Sequence, residues 1–339
     1  MKWPEVNIQT RSGLQKGIAP EIISASRSTD IPAFHAEWLM NRLKEGYVKW
    51  INPFNQHPQY VSFEKTKFAV FWSKNPAPLL SHLNEIDRYG FGYYFQFTLN
   101  DYEDEQLERC VPPVIDRIQT FRTLSEQIGK DRVIWRFDPL ILTPEMGVED
   151  LLVKIQRVGD QIAPFTRKLV FSFADIECYK KVQNNLKRKQ MVCSEFTEGQ
   201  MLETAGRISE LCRAWGITAA TCAESVDLSR FGIEHNKCID DELILKISGH
   251  DPGLRRLLGA DLHDQQDMFV SSAPKRKKKI KDPGQREACG CVFSKDIGQY
   301  NTCPHMCAYC YANTSENVVR KNYSQVSSES ETIIADGLG

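Results

Sequence analysis

Three cysteines near the end of the chain have the spacing of a metal-cluster site. Cys303, Cys307 and Cys310 follow one another at intervals of four and three residues, which can bring three thiols to one side of a tight loop. Three converging thiolates, with no fourth ligand at a matching spacing, suit a cubane iron–sulfur cluster in which one iron has no protein ligand and is open. The spacing therefore predicts a 4Fe–4S cluster that binds a substrate or cofactor directly, rather than one that only moves electrons.

His305 raises an alternative, a zinc site. Zinc prefers four tetrahedral ligands, and His305 is a possible fourth beside the three cysteines. It lies between Cys303 and Cys307, however, too close in sequence to both to complete a tetrahedron easily. Spacing and ligand count therefore favour iron–sulfur over zinc.

Four further cysteines are candidates for a second, fully ligated cluster. Cys289 and Cys291 flank a single glycine, Cys222 ends a predicted strand, and Cys238 follows sixteen residues later in a loop-like stretch. Four thiolates would complete such a cluster. The alternative for Cys222 and Cys238 is burial as small apolar side chains. The other cysteines have no matching partners or lie at core positions of a predicted helix: Cys110, Cys178, Cys193 and Cys212.

Composition places the chain among globular proteins of a reducing compartment. It has 339 residues, 41% of them hydrophobic, which suits one α/β barrel, and its net charge of −1 is not that of a polyanion-binding protein. No apolar run is long enough to span a membrane, and the N-terminus lacks the apolar core of a signal peptide. We therefore expect a cytoplasmic protein with no membrane partner, whose eleven cysteines serve metal binding or catalysis rather than disulfides.

Short apolar runs alternate with amphipathic stretches along most of the chain. Because most runs are almost continuously apolar, they read as parallel strands covered on both faces. The predicted strands are residues 21–26, 47–51, 68–72, 93–98, 132–137, 169–173 and 217–222, with a possible eighth near Val292 and Phe293. Alternating strands and helices predict an α/β fold, a full or partial parallel (β/α) barrel.

The chain divides into three parts by pattern. Residues 1–260 form the barrel-like region, and 261–323 hold a basic loop and the C-terminal iron–sulfur segment that completes the same domain. Residues 324–339 are rich in serine and are expected to form a disordered tail. The basic run at 275–281 can contact phosphates, but a solvated loop is the favoured interpretation, so nucleic acid is possible and not favoured.

Polar residues cluster at or just after the ends of several predicted strands. Arg27 and Asp30 follow the first strand, and Glu224 follows the seventh. In parallel α/β folds the carboxyl ends of the strands carry the chemistry. Helix capping and strand-end ion pairs explain any one of these residues equally well. As a set, they mark one rim of the predicted barrel.

The C-terminal cysteines also resemble a known signature. Cys303 to Cys310, with Tyr309 before the last cysteine, resembles the motif of radical S-adenosylmethionine (SAM) enzymes, and Cys307-Ala308-Tyr309-Cys310-Tyr311 looks most like the spore photoproduct lyase branch. This resemblance implies that SAM binds the open iron through its amino and carboxylate groups. One electron from the cluster then cleaves a carbon–sulfur bond and releases a 5′-deoxyadenosyl radical. It also implies an electron donor such as ferredoxin or flavodoxin, but names no substrate.

Longer motifs resemble an uncharacterised bacterial family known only as a domain of unknown function. They extend over nearly the whole chain and include Ser26-Arg27-Ser28-Thr29-Asp30-Ile31-Pro32, Phe71-Trp72-Ser73-Lys74-Asn75-Pro76, Trp135-Arg136-Phe137-Asp138-Pro139 and Cys289-Gly290-Cys291. Thr221-Cys222-Ala223-Glu224 and Cys238-Ile239-Asp240 look like motifs of the same family, which supports the second cluster.

The order of the parts differs from the usual radical SAM layout, in which the three-cysteine loop follows the first strand. A circularly permuted barrel reconciles the two orders, and it predicts that the strand at 21–26 pairs with the last strand near Val292. Arg27, Asp30 and Glu224 are then candidates to orient SAM or substrate. The alternative function is a non-catalytic iron–sulfur protein that relays electrons or senses a redox signal; such a protein should not bind SAM.

Overall fold

Eight parallel strands form the main sheet, and the last of them in sequence lies beside the first. The computed structural model describes residues 3–260, 281–282, 284–286 and 288–335. The strands are β1 Glu5–Thr10, β2 Gly13–Ile18, β3 Ile22–Ala25, β4 Tyr47–Ile51, β5 Pro58–Ser62, β6 Phe68–Ser73, β7 Gly92–Thr98, β8 Val133–Leu140, β9 Lys168–Phe173, β10 Thr218–Thr221, β11 Glu234–His235 and β12 Lys295–Asp296. The main sheet has the order β11-β10-β9-β8-β7-β6-β3-β12.

Helices connect these strands as the alternating pattern predicts. They are α1 Ile31–Phe34, α2 Ala36–Glu45, α3 Ala77–Leu80, α4 Leu83–Arg88, α5 Val114–Ile128, α6 Val148–Ile162, α7 Lys180–Lys189, α8 Glu198–Trp215, α9 Asp241–Ser248, α10 Pro252–Leu258 and α11 Glu316–Tyr323. None of the helices in the described ranges is long and apolar enough to cross a membrane.

The predicted pairing of the first and last strands is confirmed. β12 pairs in parallel with β3, with Lys295 opposite Ile23 and Asp296 opposite Ser24. The partner strand begins at Lys295, slightly later than predicted. The expectation of a full barrel is not met, because β11 and β12 remain separate edges of the sheet.

A narrow seam separates these two edge strands. We define the seam as residues 236–240 and 289–292, which lie after β11 and before β12 respectively. Across it, the Val292 N–H donates to the Ile239 carbonyl oxygen at 3.1 Å. The fold is therefore an open parallel sheet whose two edges are joined through loop segments.

The two faces of the sheet bury different sets of side chains. Along β8, Val133, Trp135 and Phe137 belong to the large core, while Ile134 belongs to a second, smaller cluster. This is the alternation expected of a strand covered on both sides. The smaller cluster also contains Ile22, Val70, Tyr94, Val170 and the buried cysteines Cys238, Cys289 and Cys291.

Residues 47–51 were predicted as a barrel strand, and this was wrong. As β4, they pair antiparallel with β5 in a separate four-stranded sheet of order β1-β2-β5-β4. Only residues 52–57 connect β4 to β5, which is too short for a parallel crossover of a dozen or more residues. The connection therefore makes a hairpin.

The C-terminal segment 324–335 packs against α2, in contrast to the disordered tail that was expected. The Trp38 indole N–H lies 3.0 Å from the carbonyl oxygens of both Ser330 and Thr332, and the Tyr47 hydroxyl bonds to Glu331. Ile333 is 1% exposed, so one apolar side chain joins the core. The basic residues 275–280 and the last four residues lie outside the described residues.

Candidate functional site: two cysteine groups

Cys303, Cys307 and Cys310, here called the three-cysteine group, come together at the carboxyl ends of β6 and β7. They are half-buried, and Cys303 and Cys310 each lie close enough to Cys307 to raise its pKa. The loop that carries them rests on the segment after β7, where the Ala308 N–H donates to the Leu107 carbonyl oxygen at 2.8 Å. Backbone bonds thus fix the loop without a regular helix or strand.

Burial makes free thiols of this group hard to ionise. It raises the pKa of Cys303 to about 12 and that of Cys307 well above its ordinary value. Lys74 opposes this effect at Cys307, and the Asn313 backbone N–H lies 3.3 Å from the Cys310 sulfur. A thiol must be deprotonated to act as a ligand. A bound cation or cluster would supply the positive charge that stabilises the thiolates in these buried surroundings.

His305 is directed toward protein partners. Its Nε2 lies 2.8 Å from the Asp30 carboxylate, and its Nδ1 lies 3.4 Å from the Cys110 carbonyl oxygen. Both ring nitrogens are therefore engaged. This arrangement counts against the zinc interpretation in which His305 is the fourth ligand.

Asp30 holds the loop and α1 together. One carboxylate oxygen accepts from the Ala33 N–H at 3.0 Å and so caps α1, and the other accepts from the Lys74 N–H at 2.7 Å as well as from His305. Asp30 also lies close enough to Cys303 to raise its pKa. Its geometry is that of a residue that positions Cys303, since both oxygens already have protein donors.

A buried polar network lies beneath Cys307. Lys74 Nζ lies 2.6 Å from Glu108 and 2.9 Å from the Tyr309 hydroxyl, and the Asn100 amide donates to Glu108 at 2.9 Å and to the Tyr309 oxygen at 3.0 Å. Burial alone would raise the pKa of Glu108, but Lys74 and Arg117 outweigh it and lower that pKa to about 2. Sequence reasoning missed Glu108, because no local pattern marks a carboxylate whose partners come from three separate segments.

The four-cysteine group, Cys222, Cys238, Cys289 and Cys291, lies at the seam. The Cys222 and Cys238 sulfurs are 3.2 Å apart, and Cys291 lies close enough to Cys238 and Cys289 to shift the pKa of both. These contacts between thiols lower the pKa of Cys238 well below its ordinary value and that of Cys289 to about 6, and they raise the pKa of Cys222 and Cys291. The structure thus brings all four predicted residues together.

Two arginines face this group, the buried Arg136 and the partly exposed Arg27. Arg136 Nη1 donates to the Cys238 sulfur at 3.2 Å, and its other nitrogens hold Asp138 at 2.6 and 3.2 Å. Burial would lower the pKa of Arg27, but Cys291 and Asp296 outweigh burial and raise it. Arg27 Nη2 is buried without a hydrogen-bond partner. Arg27, expected at the three-cysteine group, therefore directs its guanidinium to the four-cysteine group.

Asp296 fixes the backbone around Arg27. Its carboxylate accepts from the Arg27 N–H and the Ser24 hydroxyl, both at 2.8 Å, from the Gly298 N–H at 2.9 Å and from the Ser28 hydroxyl at 3.0 Å. The Tyr311 hydroxyl in turn donates to the Arg27 carbonyl oxygen at 2.6 Å. The role of Asp296 was not anticipated from the sequence.

Glu224 lies apart from the three-cysteine group. It accepts from the Phe173 N–H at 2.9 Å, and burial raises its pKa to about 7. Its charged neighbours are Asp175, Asp138 and Arg286. The structure thus places Glu224 at the carboxyl ends of β9 and β10, two residues from Cys222.

The donor atoms of both groups bear on the implied clusters. Across the described ranges, no three His, Cys, Asp or Glu side chains converge on a position for a single metal ion. Both groups offer thiols only, which is a ligand set of 4Fe–4S clusters and, where there are four thiols, also of structural zinc. The unpartnered Arg27 Nη2 and the Arg136–Cys238 contact add hydrogen-bond donors suited to an anionic cluster. The residues present therefore fit such groups.

Comparison with known proteins gives a family without an assigned activity. The sequence model of a family described as Domain of unknown function (DUF1848) matches residues 22–312, so the chain belongs to that family. No curated protein matches. A crystal structure described as that of a candidate alpha-L-fucosidase from Bacteroides thetaiotaomicron is similar with a TM-score of 0.25 and 11% identity, over 57% of this chain and 82% of that chain. A TM-score this low supports no conclusion.

Proposed function

We propose that this member of the DUF1848 family is an iron–sulfur enzyme of the radical SAM type. In this proposal the three-cysteine group holds a 4Fe–4S cluster with one open iron, and SAM binds that iron. One observation carries it: three thiols share a half-buried loop at the carboxyl edge of a parallel sheet, close enough for Cys303 and Cys310 to raise the pKa of Cys307, while His305 is engaged elsewhere. The bound cluster would supply the electron that cleaves the carbon–sulfur bond of SAM.

The chain's own residues have identifiable tasks in this proposal. Asp30 and His305 hold the loop that carries Cys303 against α1, and Lys74 places a positive charge near Cys307. A nearby cation favours thiolate over thiol and so favours ligand binding. The buried network of Glu108, Asn100 and Tyr309 keeps Lys74 in place and fills the space under the loop.

Residues whose polar atoms have no protein partner are the candidates to contact SAM. Asp30 has no free oxygen, and the Arg27 guanidinium faces the other cysteine group, so both act on the site by positioning it. Asn313 has a buried side-chain oxygen without a hydrogen-bond partner, and its own N–H contacts the Cys310 sulfur. We assign this oxygen as an acceptor for the amino group of SAM, and Glu224 as a candidate contact to substrate.

A second 4Fe–4S cluster at the four-cysteine group is part of the proposal. Its four thiols and two arginine donors support it. The same observation favours the alternative function, a protein that only relays electrons or senses redox state, because a fully ligated cluster suits that role. The enzyme function requires an electron donor such as ferredoxin or flavodoxin.

Anaerobic loading of the protein with iron and sulfide tests the proposal. Addition of SAM to the reduced protein is expected to change its electron paramagnetic resonance (EPR) signal and to release 5′-deoxyadenosine. Alanine in place of Cys303, Cys307 or Cys310 should abolish both effects, whereas Cys178→Ala, an exposed cysteine outside both groups, should not. A reduced wild-type protein whose signal ignores SAM would instead support the electron-relay function.

A further inference from the structure

One residue joins the two cysteine groups. The backbone carbonyl oxygen of Arg27 accepts from the hydroxyl of Tyr311, which directly follows Cys310. The guanidinium of the same Arg27 lies near enough to Cys291 and Cys238 for their charge to raise its pKa. Arg27 therefore lies between the two groups. Its backbone contacts Tyr311, next to the three-cysteine group, and its side chain faces the four-cysteine group.

A second, hydrogen-bonded path runs between the same two groups. From Tyr309, which lies between Cys307 and Cys310, it passes to Asn100 at 3.0 Å, and the Asn100 oxygen accepts from the Asp138 N–H at 2.8 Å. Asp138 holds Arg136, and Arg136 donates to the Cys238 sulfur at 3.2 Å. Every member of this path is fixed by at least two hydrogen bonds, so the separation of the groups is a rigid feature of the fold.

The two groups differ in what they can do. The four-cysteine group supplies four thiols, so a cluster held there has no open iron and cannot take up SAM. Gly290, between Cys289 and Cys291, is exposed, which places this group one residue beneath the surface. Two guanidinium groups face it, that of the buried Arg136 and that of the partly exposed Arg27. Hydrogen bonds and positive charge near cluster sulfur stabilise the state that carries the additional electron.

We propose that the four-cysteine group is the electron port of the protein, with Arg27 and Arg136 stabilising its reduced state before the electron passes to the three-cysteine group. This inference rests on the proposed function for the cluster at the three-cysteine group. A cluster held by the four-cysteine group would take one electron from a small one-electron carrier protein and would give it to a cluster held by the three-cysteine group. No atom or proton is transferred, and no bond forms or breaks in these steps.

Stopped-flow mixing and freeze-quench EPR of the loaded protein test the port. The probes are chemically reduced flavodoxin and titanium(III) citrate, a small reductant able to reach the three-cysteine group directly. We expect Cys238→Ala to slow reduction of the three-cysteine cluster by flavodoxin at least tenfold, while titanium(III) citrate still reduces it fully. Cys178→Ala is the matched control and should behave as wild type with both reductants.

Arg136→Met tests the arginines while all four thiols are kept. Loss of the hydrogen bond to Cys238 should lower the equilibrium constant for one-electron reduction of the four-cysteine cluster about tenfold, equivalent to a shift of about 59 mV to more negative potential. A redox titration followed by EPR measures this shift. Arg136→Lys, which keeps the charge, should show a smaller one.

Several results would overturn the port. These are an unchanged rate with flavodoxin in Cys238→Ala, an unchanged potential in Arg136→Met, and zinc, or iron for one cluster only, in the wild-type protein. Failure of the proposed function is seen separately. In that case the three-cysteine cluster ignores SAM even after full reduction by titanium(III) citrate, whatever the rate with flavodoxin.

Discussion

Glu108 illustrates how much of the site depends on single buried residues. Its carboxylate is 3% exposed and collects Lys74, Asn100 and the Tyr309 hydroxyl under the three-cysteine loop, with the Arg117 guanidinium at 3.7 Å. Breaking a buried ion pair by removing one partner costs far more than the pair contributes, because the remaining charge stays buried and uncompensated. Glu108 therefore controls both the stability of the fold and the position of the loop.

Glu108→Gln is expected to lower the free energy of unfolding by about 3 kcal/mol, because Lys74 and Arg117 lose their carboxylate. Urea unfolding of the unloaded protein measures the change. Glu316→Gln removes a more exposed pair with Lys189 and should cost less than about 1 kcal/mol. An equal loss in the free energy of unfolding for the two substitutions would show that the buried network under the loop stabilises the fold no more than the more exposed ion pair does.

Asn313→Ala should weaken SAM binding by about tenfold, the equivalent of roughly one hydrogen bond to a charged group at about 1.5 kcal/mol. Equilibrium binding of SAM to the loaded protein provides the measurement, with iron content as a check that the cluster is still present. Asn41→Ala, which contacts the C-terminal segment, serves as the control. Unchanged SAM affinity in a loaded Asn313→Ala protein would remove Asn313 from the contact set.

The grouping of the cysteines was predictable from the sequence, but their surroundings were not. Cys303, Cys307 and Cys310 are close in sequence, so their spacing alone places them in one loop. Arg27 was expected beside them because it follows β3, yet its side chain turns to Cys291 and Cys238. A side-chain direction of this kind depends on segments more than 200 residues apart in sequence, which local patterns do not encode.

At the scale of elements, β12 shows how little regular structure is needed to place the site. It has two residues, and the Asp296 carboxylate reinforces it with bonds to Ser24, Arg27, Ser28 and Gly298. A Cβ at Gly298 would lie 1.8 Å from the Ser26 hydroxyl oxygen and 2.5 Å from its Cβ. This close approach requires glycine where the C-terminal segment leaves the sheet.

Gly298→Ala should lower the free energy of unfolding by about 2 kcal/mol through overpacking, and it should reduce iron loading of the three-cysteine group. Ser26 cannot simply turn away, because its oxygen accepts from the Ser28 N–H at 2.9 Å. Denaturant unfolding and iron content report the two effects. The control is Gly199→Ala, where the added Cβ meets open space. Adding Ser26→Gly should restore part of the loss; a Gly298→Ala protein as stable as wild type would refute the close contact.

His35 links α2 to the residue before Cys303. Its Nε2 lies 3.2 Å from the Thr302 carbonyl oxygen, and burial lowers its pKa to about 4. The unfolded chain takes up this proton near pH 6.5, so below that pH protons favour unfolding until the folded protein also binds one near pH 4. The stabilising effect of neutral His35 is therefore present at pH 7 and lost as the pH falls.

Between pH 7 and pH 5, neutral His35 should account for a loss of about 2 kcal/mol in the free energy of unfolding. Urea unfolding of wild type and of His35→Gln at the two pH values measures the contribution of His35 to this loss. His35→Gln is expected to be less stable at pH 7 but less sensitive to acid. An identical pH dependence in the two proteins would show that His35 titrates normally.

Most strands of the main sheet were predictable, since buried parallel strands are long apolar runs. β6, β7, β8 and β9 lie within a few residues of the predicted bounds. β4 has the same composition, but its partner is set by a short connection rather than by its own residues. β11 and β12, of two residues each, carry no periodic signal, and the C-terminal segment orders only because α2 and β4 offer it partners.

At the scale of the whole molecule, the four-cysteine group lies between the two edges of the open sheet. Cys222 follows β10, Cys238 follows β11, and Cys289 and Cys291 precede β12, so a cluster bound there would link both sides of the seam. The hydrogen bond from Val292 to Ile239 crosses the same gap. Loading of this group is therefore expected to stabilise the fold, because the ligand set exists only in the folded state.

Loading with iron and sulfide should raise the midpoint of thermal unfolding of the wild-type protein and slow amide hydrogen exchange at residues 236–240 and 289–292. Cys291→Ala should remove the slowing at the seam while leaving the three-cysteine loop protected. Mass spectrometry of exchange under anaerobic conditions resolves the two regions. Equal exchange at the seam in loaded and unloaded protein would mean that the cluster does not link the edges.

The pairing of the first and last strands of the sheet also determines when the sheet can be completed during translation. β3 begins at residue 22 and β12 at residue 295, so the ribosome makes nearly the whole sheet before the second partner of β3 exists, although its first partner, β6, begins at residue 68. At roughly 5–20 residues per second, the edge of β3 waits on the order of half a minute. Nascent chains that stop early would offer Cys222 and Cys238 but neither complete thiol set. Only chains translated past Cys310 could therefore be loaded fully with iron. We expect chaperones to bind the edge of β3 that stays unpaired until β12 is made.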